Sequence, residues 1–354
     1  MNISLSQPGN ERGLTLVELM VALALSMILL AGTIQIFVSS KQVYRVQDAS
    51  SEVQQSGRFA SIFINRDMRM AGFFGCAGMA GVTFTNNVNY SRYVARSGRS
   101  VPSDIVNFDG TGSLIGYDNV GSITSTSNSA LYNLGLRIGT ATGEVILGTD
   151  VISMSGAASC PGGEVVSPYN SGSNIKIADA DTCGIDQYDI VIVTNCTNAD
   201  IFGVTNNPSG NGNSSNLAYG ANINGPTGGT SHKIEHEYGE GAKVLGYRSV
   251  TYYIGNGSSG GPALYRISSN NGSGMVTEEL VEGIESINFE YGQDSDDDGS
   301  ANFFVAAGAI TDWEQVVAIR PTLVSRSSDT NITETGDTRL RHSFRSTITV
   351  RNRL

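Results

Sequence analysis

Hydrophobic residues are unevenly spread along this chain, and the first pattern is a run rather than a period. From Leu14 to Val38 there is one charged side chain, Glu18, in 25 residues. At about 1.5 Å per residue the run makes a helix of roughly 37 Å, long enough to cross a bilayer. The pattern then becomes periodic. Val46, Ala49, Val53, Ala60, Phe63 and Ile64 recur at three- to four-residue steps between Gln47, Glu52, Gln54, Arg58 and Arg66. No proline interrupts Leu14 to Ala71, and Gly72 and Gly75 end the helix. Gly32 and Gly57 are weak points inside it, each costing about 1 kcal/mol against alanine. The spacing predicts one spine of roughly 85 Å. It is apolar all round over 14–38 and amphipathic over 39–75, so its second half needs a surface to lie on.

Beyond Cys76 the signals are strands and turns. Strands are predicted over Asp150 to Ser155, Tyr188 to Thr194, Ile201 to Thr205, Lys243 to Ile254 and Ala263 to Ser268. Others fit Gly283 to Tyr291, Trp313 to Ser325 and His342 to Arg351. The stretch from Tyr188 is nearly all apolar and reads as a central strand. Asn206 to Thr230 is rich in Asn, Gly and Ser and reads as a flexible insertion, 206–230, in a β-rich domain over 76–354. Gly81 to Gly143 carries no clear period. The fold class expected is α+β, a long N-terminal helix packed on an antiparallel sheet.

Composition supports a loop-rich β domain: the chain has 43 glycines and is 40% apolar. The formal net charge of −11 gives no electrostatic reason to contact nucleic acid. Cys76, Cys160, Cys183 and Cys196 all follow the apolar run, and in an exported domain they read as two disulfides. If the strands starting at Asp150 and Tyr188 pair antiparallel, Cys160 and Cys183 lie at the same end. Cys196 then lies beyond the far end of a strand spanning roughly 23 Å. A bond needs Cα atoms within about 7 Å, so Cys183–Cys196 requires a sharp return of the chain. The pairing expected is Cys160–Cys183 with Cys76–Cys196, the second tying the spine's end to the sheet.

A lone carboxylate in a spanning helix costs about 2.5–3.5 kcal/mol at the bilayer centre, so Glu18 needs a reason. Gly13-Leu-Thr-Leu-Val-Glu18 followed by an apolar run resembles the class III signal of type IV prepilins and pseudopilins. The resemblance implies cleavage between Gly13 and Leu14 by the prepilin peptidase and N-methylation of Leu14, where the family usually has Phe. The new amine then lies four residues before Glu18, and a neighbouring subunit's amine can pair with that carboxylate in a bundle. Thr15 can hydrogen-bond beside it. A secretory signal has a shorter apolar core with a small-x-small site after it, and a plain anchor has no use for Glu18.

Further motifs look like PilW-type minor pilins. They are Gln55-Ser-Gly-Arg-Phe-Ala, Arg66-Asp-Met-Arg-Met-Ala-Gly-Phe-Phe-Gly-Cys76 and Tyr188-Asp-Ile-Val-Ile-Val-Thr-Asn-Cys196. Tyr291-Gly-Gln-Asp-Ser-Asp-Asp-Asp-Gly299, Trp313 leading into Val316-Val-Ala-Ile-Arg320, and Val350-Arg-Asn-Arg353 continue the match. The resemblance implies a type IV pilin-like fold, with 1–13 a leader and 14–38 a single inner-membrane span. It also implies a periplasmic domain that later joins the pilus. The implied function is pilus assembly or priming at the tip, beside other minor pilins, the major pilin and a tip adhesin, with no enzymatic site. Two alternatives stay open: a J-type pseudopilin of type II secretion, and a tethered, calcium-stabilised adhesin that never assembles.

Asp294, Asp296 and Asp298, followed by Gly299, have the spacing of the first half of a calcium loop. The glutamate expected at the twelfth position is Val305, so calcium at this loop competes with a solvated acidic turn. His232 and His236 are four apart between glycines. On a strand they lie about 13 Å apart, too far for one ion. Gly257-Ser-Ser-Gly-Gly261 matches a nucleophile elbow only in letters, because it sits between two strand patterns and reads as a hairpin loop. Arg339, Arg341, Arg345, Arg351 and Arg353 either balance charge across the last strands or offer a docking face to another pilin.

Overall fold

The structure, a computed structural model, describes residues 13, 15–75, 82–99, 113–124, 126–171, 174–208, 216–225, 234–270, 273–334 and 336–353. One helix, α1 (Leu16–Met70), runs unbroken through 55 residues, about 82 Å at helical rise. It stops where the backbone turns: Ala71 is extended, and Gly72 and Gly75 both take positive φ, at 72° and 113°. The Gly72 amide donates to Ser155 O at 2.9 Å, so the turn that ends the helix also hands it to the sheet.

Three sheets follow. The largest runs β1 (Thr83–Asn86), β7 (Asn198–Gly203), β6 (Ile190–Thr194), β9 (Lys243–Asn256), β10 (Pro262–Asn270) and β11 (Ser273–Glu282). β3 (Val151–Ala158), carrying β2 (Leu114–Tyr117), also pairs with β9. The second sheet orders β13 (Phe303–Val305), β12 (Ile284–Gln293), β14 (Val316–Arg326) and β15 (Arg341–Arg345), with β16 (Ile348–Thr349) on β14. The third is small: β4 (Val165–Ser171), β5 (Asn174–Ile177) and β8 (Asn216–Ala218). Every pairing between named strands is antiparallel except β1 with β7. Short helices α2 (Tyr90–Ser97), α3 (Ser129–Asn133) and α4 (Ala180–Cys183) lie between strands, two of them in the stretch 81–143 that carries no sequence period.

A single residue links the last strand of the first sheet to the first long strand of the second. Gly283 separates β11 from β12 at φ 76°, which favours glycine. Its amide donates to Pro262 O and its carbonyl accepts from Arg326 N. α1 lies where the sheets converge. Ala60, Ile64 and Met68 pack with Ile152, Tyr252 and Leu264 of one sheet and Ile287, Phe289, Ile319 and Leu323 of the other. The buried stripe on the helix is Ala49, Val53, Gly57, Ala60, Ile64, Asp67 and Met68. Val46 lies above it and is exposed, while Phe63 is half-buried at its flank. Gly57 is no defect: a Cβ there would run into the ring of Phe344 on β15, so only glycine lets the strand approach this closely.

β6 is buried at every position, as its apolar run predicts. The strands at Asp150 and Tyr188 do not pair with each other, contrary to expectation. Each is antiparallel to β9, so they run parallel to one another. Ala158 and Val191 both face Gly246, which places the end of β3 at the level where β6 begins. Cys160 and Cys183 are therefore adjacent, and they are bonded with Cα atoms 4.6 Å apart. Cys196 is also disulfide-bonded, while its expected partner, Cys76, lies outside the described residues.

Within the stretch read as a flexible insertion, residues 216–225 are part of the fold. Leu217 and Ile223 are fully buried, and β8 pairs with β5. The Asn224 side chain brackets Gly203 by donating to its carbonyl and accepting from its amide, each at 2.8 Å. Sparse apolar residues among Asn, Gly and Ser are enough to dock the segment, because its polar side chains satisfy backbone groups.

Candidate functional site

The site is built from the two ends of α1. At the N-terminus the capping pattern of the sequence sets the geometry. Thr15 is the N-cap and Glu18 the third helical residue, and the two side chains reciprocate. Thr15 Oγ1 accepts from the Glu18 amide at 3.2 Å. Glu18 Oε2 accepts from the Thr15 amide and from Thr15 Oγ1, each at 3.0 Å. Both bonds fall on Oε2, which leaves Oε1 open to a further donor. Gly13 is exposed, with no described residue within 4 Å of where a Cβ would stand, and Leu14 and residues 1–12 lie outside the described residues.

From Leu16 to Val38 every residue is exposed, with Leu16 at 75% and Leu29 at 71%. This half of the helix is long and apolar enough to cross a membrane, and none of it is buried against the other described residues. An apolar surface of this length is stable only in lipid or against other helices. Ser26 and Thr33 satisfy their hydroxyls on the Leu23 and Leu30 carbonyls at 2.9 and 2.8 Å, so neither leaves an unpaired donor on that surface.

At the other end a buried carboxylate locks the helix to the sheet. Asp67 is 4% exposed. Its Oδ1 accepts from Arg248 Nη2 at 2.9 Å, and its Oδ2 accepts from the Tyr252 hydroxyl at 2.7 Å. Arg266 Nη1 stands 3.7 Å from Oδ2 and holds Glu278 with its other nitrogen at 2.7 Å. Burial, and then the Asp67 charge, push the Tyr252 hydroxyl far above its usual range. Higher up, Arg45 Nη2 donates to Thr330 O at 2.7 Å, and the Ser328 hydroxyl donates to Glu52 at 3.0 Å. The sequence marks Asp67 only as a polar residue at a position in phase with Ala60 and Ile64, and that phase is the signal that could have found it.

The other candidates separate. Asp294, Asp296 and Asp298 present carboxylate oxygens within 4.8 Å of one another. Asp294 already receives the backbone amides of Asp296, Asp298 and Gly299 at 3.2, 3.3 and 2.7 Å. Burial works against its ionisation, but those amides, led by that of Gly299, hold the carboxyl below its usual range. The loop is thus organised by its own backbone, with Asp296 and Asp298 exposed at its rim. His236 Nδ1 lies 3.0 Å from Asp200 Oδ2, and His232 is outside the described residues. Gly257–Gly261 closes the β9–β10 hairpin, with the Gly257 amide donating to Gly261 O.

The C-terminal arginines do different things. Arg341 pairs with Glu285 and Asp337, each at 2.6 Å, and Arg345 with Glu290 at 2.6 Å. Arg339 lies 3.6 Å from Asp337. Arg353 is buried and donates to Ser113 Oγ and to Trp313 O, and burial brings its guanidinium down to about 10. Arg351 alone of the five is left exposed without an acidic partner among the described residues.

Comparison with known proteins agrees with this geometry at both ends of the chain. The family described as Type IV Pilus-assembly protein W matches residues 251–352, and the prokaryotic N-terminal methylation motif matches residues 8–34. No curated protein and no solved structure matches. The first match begins inside β9 and takes in Tyr252 and Arg266 of the clamp, the whole second sheet, and Phe344 against Gly57. The second covers the capping box and most of the bare half-helix. The chain is thus a membrane-anchored, pilin-like α+β protein that carries a prepilin-type signal and, over residues 251–352, is similar to the type IV pilus-assembly protein W family.

Proposed function

We propose that this chain is a minor pilin that primes type IV pilus assembly and takes its place near the tip, beside other minor pilins, the major pilin and a tip adhesin. The observation that carries this reading is the contrast along α1. One half is bare, apolar and headed by Glu18, and the other is clamped between two sheets. Before assembly the bare half waits in the inner membrane with the domain in the periplasm. In the fibre it packs among other helices, where close van der Waals contact replaces lipid. The carboxylate of Glu18, with Oε1 open, then receives the methylated amine of a neighbour's residue 14.

The test is a pilus-assembly complementation assay with Glu18→Ala. Cleavage and export are expected to persist while piliation falls, and normal piliation would sink the proposal. Mass spectrometry of the mature N-terminus is the companion measurement. It is expected to find Leu14 first and methylated, and recovery of Met1 on protein taken from normal pili would refute the processing step. Calcium is not required for this role, and its binding at Asp294, Asp296 and Asp298 is tested separately below.

A further inference from the structure

The surface where α1 meets the large sheet has a sign opposite to that of the chain. A cleft of about 1040 Å³ opens there, lined by Arg66, Arg69, Arg248, Arg266 and Arg351, with Ser268 at its wall. Against these five guanidiniums stand two carboxylates, Asp67 and Glu278, which occupy Arg248 and Arg266. Arg66, Arg69 and Arg351 are exposed and have no acidic partner among the described residues. They come from the last turns of the helix and from the 3-10 turn Arg351–Arg353, which the fold brings together. The carbonyls of Arg69 and Ala71 accept from the Asn352 side chain at 3.3 and 3.2 Å, so the two arms of the cleft are fixed to each other.

We propose that this cleft receives an acidic segment of a neighbouring pilus subunit. The proposal rests on the pilin reading above. Three guanidiniums with no acidic partner among the described residues, lining one concave surface, match carboxylates, because each planar fork can take one carboxylate in a bidentate pair. A membrane surface is out of reach: Arg66 lies 28 residues beyond Val38 on one helix, about 42 Å away, against a Debye length of about 8 Å. A nucleic acid is disfavoured by the net charge of −11, which repels a long polyanion before any local contact forms. A short acidic loop escapes that penalty, since it carries few charges and presents them locally.

The experiment uses the full chain in uncharged detergent micelles and a labelled hexaglutamate peptide, read by fluorescence anisotropy. The peptide is expected to bind at 50 mM salt and to weaken as salt rises. Replacing Arg66, Arg69 and Arg351 by Gln is expected to weaken it about tenfold, the combined effect of three partly exposed pairs. A control that removes three positive charges elsewhere (Lys41, Arg96 and Lys243 to Gln) is expected to change binding less than about twofold, since none of the three lines the cleft. Equal loss in both triple variants, no binding by the wild type, or complete displacement by inorganic phosphate of equal charge would each overturn the proposal. So would tight binding of a six-nucleotide single strand in place of the peptide. Failure here, with Glu18→Ala still abolishing pili, removes the cleft's role and leaves the pilin reading standing.

Discussion

Asp67→Ala tests the central packing argument, because it removes the acceptor that holds the helix to the sheet. The wild-type carboxylate is 4% exposed and satisfies Arg248 and the fully buried Tyr252 hydroxyl. Truncation leaves two donors behind. Breaking a buried ion pair from one side costs about 3–5 kcal/mol, and Arg248 recovers part of that because its side chain is 25% exposed. The Tyr252 hydroxyl cannot recover, and an orphaned buried donor costs about 1–3 kcal/mol. The two effects share one site and do not add, so the net loss is about 3–4 kcal/mol. At about 2–4 °C per kcal/mol for a domain of this size, the melting point falls by roughly 10 °C. The chain's one tryptophan, Trp313, packs edge-on against Tyr291 at 4.9 Å in the same core, so its emission reports the loss. Adding Tyr252→Phe to Asp67→Ala is expected to restore part of the stability by deleting the orphan. If Asp67→Ala melts within about 1 kcal/mol of the wild type, the clamp does not hold the helix and the reasoning fails.

Gly57→Ala is expected to destabilise by about 1–3 kcal/mol through overpacking on Phe344, and Phe344→Leu should relieve it; a stabilised Gly57→Ala would contradict the packing. Asp189 gives a pH dependence. Burial pushes its carboxyl up to about 6, despite bonds from the Asp186 amide and from Arg99, whose own affinity for its proton the pair raises. Burial governs the carboxylate because its side chain is 2% exposed against 22% for Arg99. A folded-state value above the unfolded one means that the contribution is full below about 4 and lost as pH rises through about 6, amounting to about 3 kcal/mol. Urea midpoints of the wild type minus those of Asp189→Asn should show that slope, and a flat difference between pH 4 and 7 would refute it. Replacing Cys160 and Cys183 by Ser opens a loop of sequence separation 23 and is expected to cost about 3 kcal/mol; an unchanged melting point under oxidising conditions would contradict this. Asp294→Ala should lower the melting point whether or not calcium is present, because it removes three backbone contacts. A loss seen only in calcium would show that the ion, not the backbone, organises the loop.

What the sequence determined by itself is what local periodicity and local chemistry can encode. The 25-residue apolar run, the capping pair Thr15 and Glu18, the buried β6 and the glycines that end α1 are each decided by residues within a few positions of one another. The Cys160–Cys183 bond was legible too, although the strand pairing that implied it was not the one formed. Two strands antiparallel to β9 bring the same cysteines together at the level of Gly246. Tertiary structure alone decided the rest. Asp67 finds partners 181 and 185 residues away, Phe344 decides that Gly57 is a contact rather than a weakness, and Arg351 joins Arg66 and Arg69 across the whole chain. A helix period reports which face will be buried, but not which surface buries it. Charge pairing and close approach depend on that second surface, and strand order fixes it only once the chain has closed.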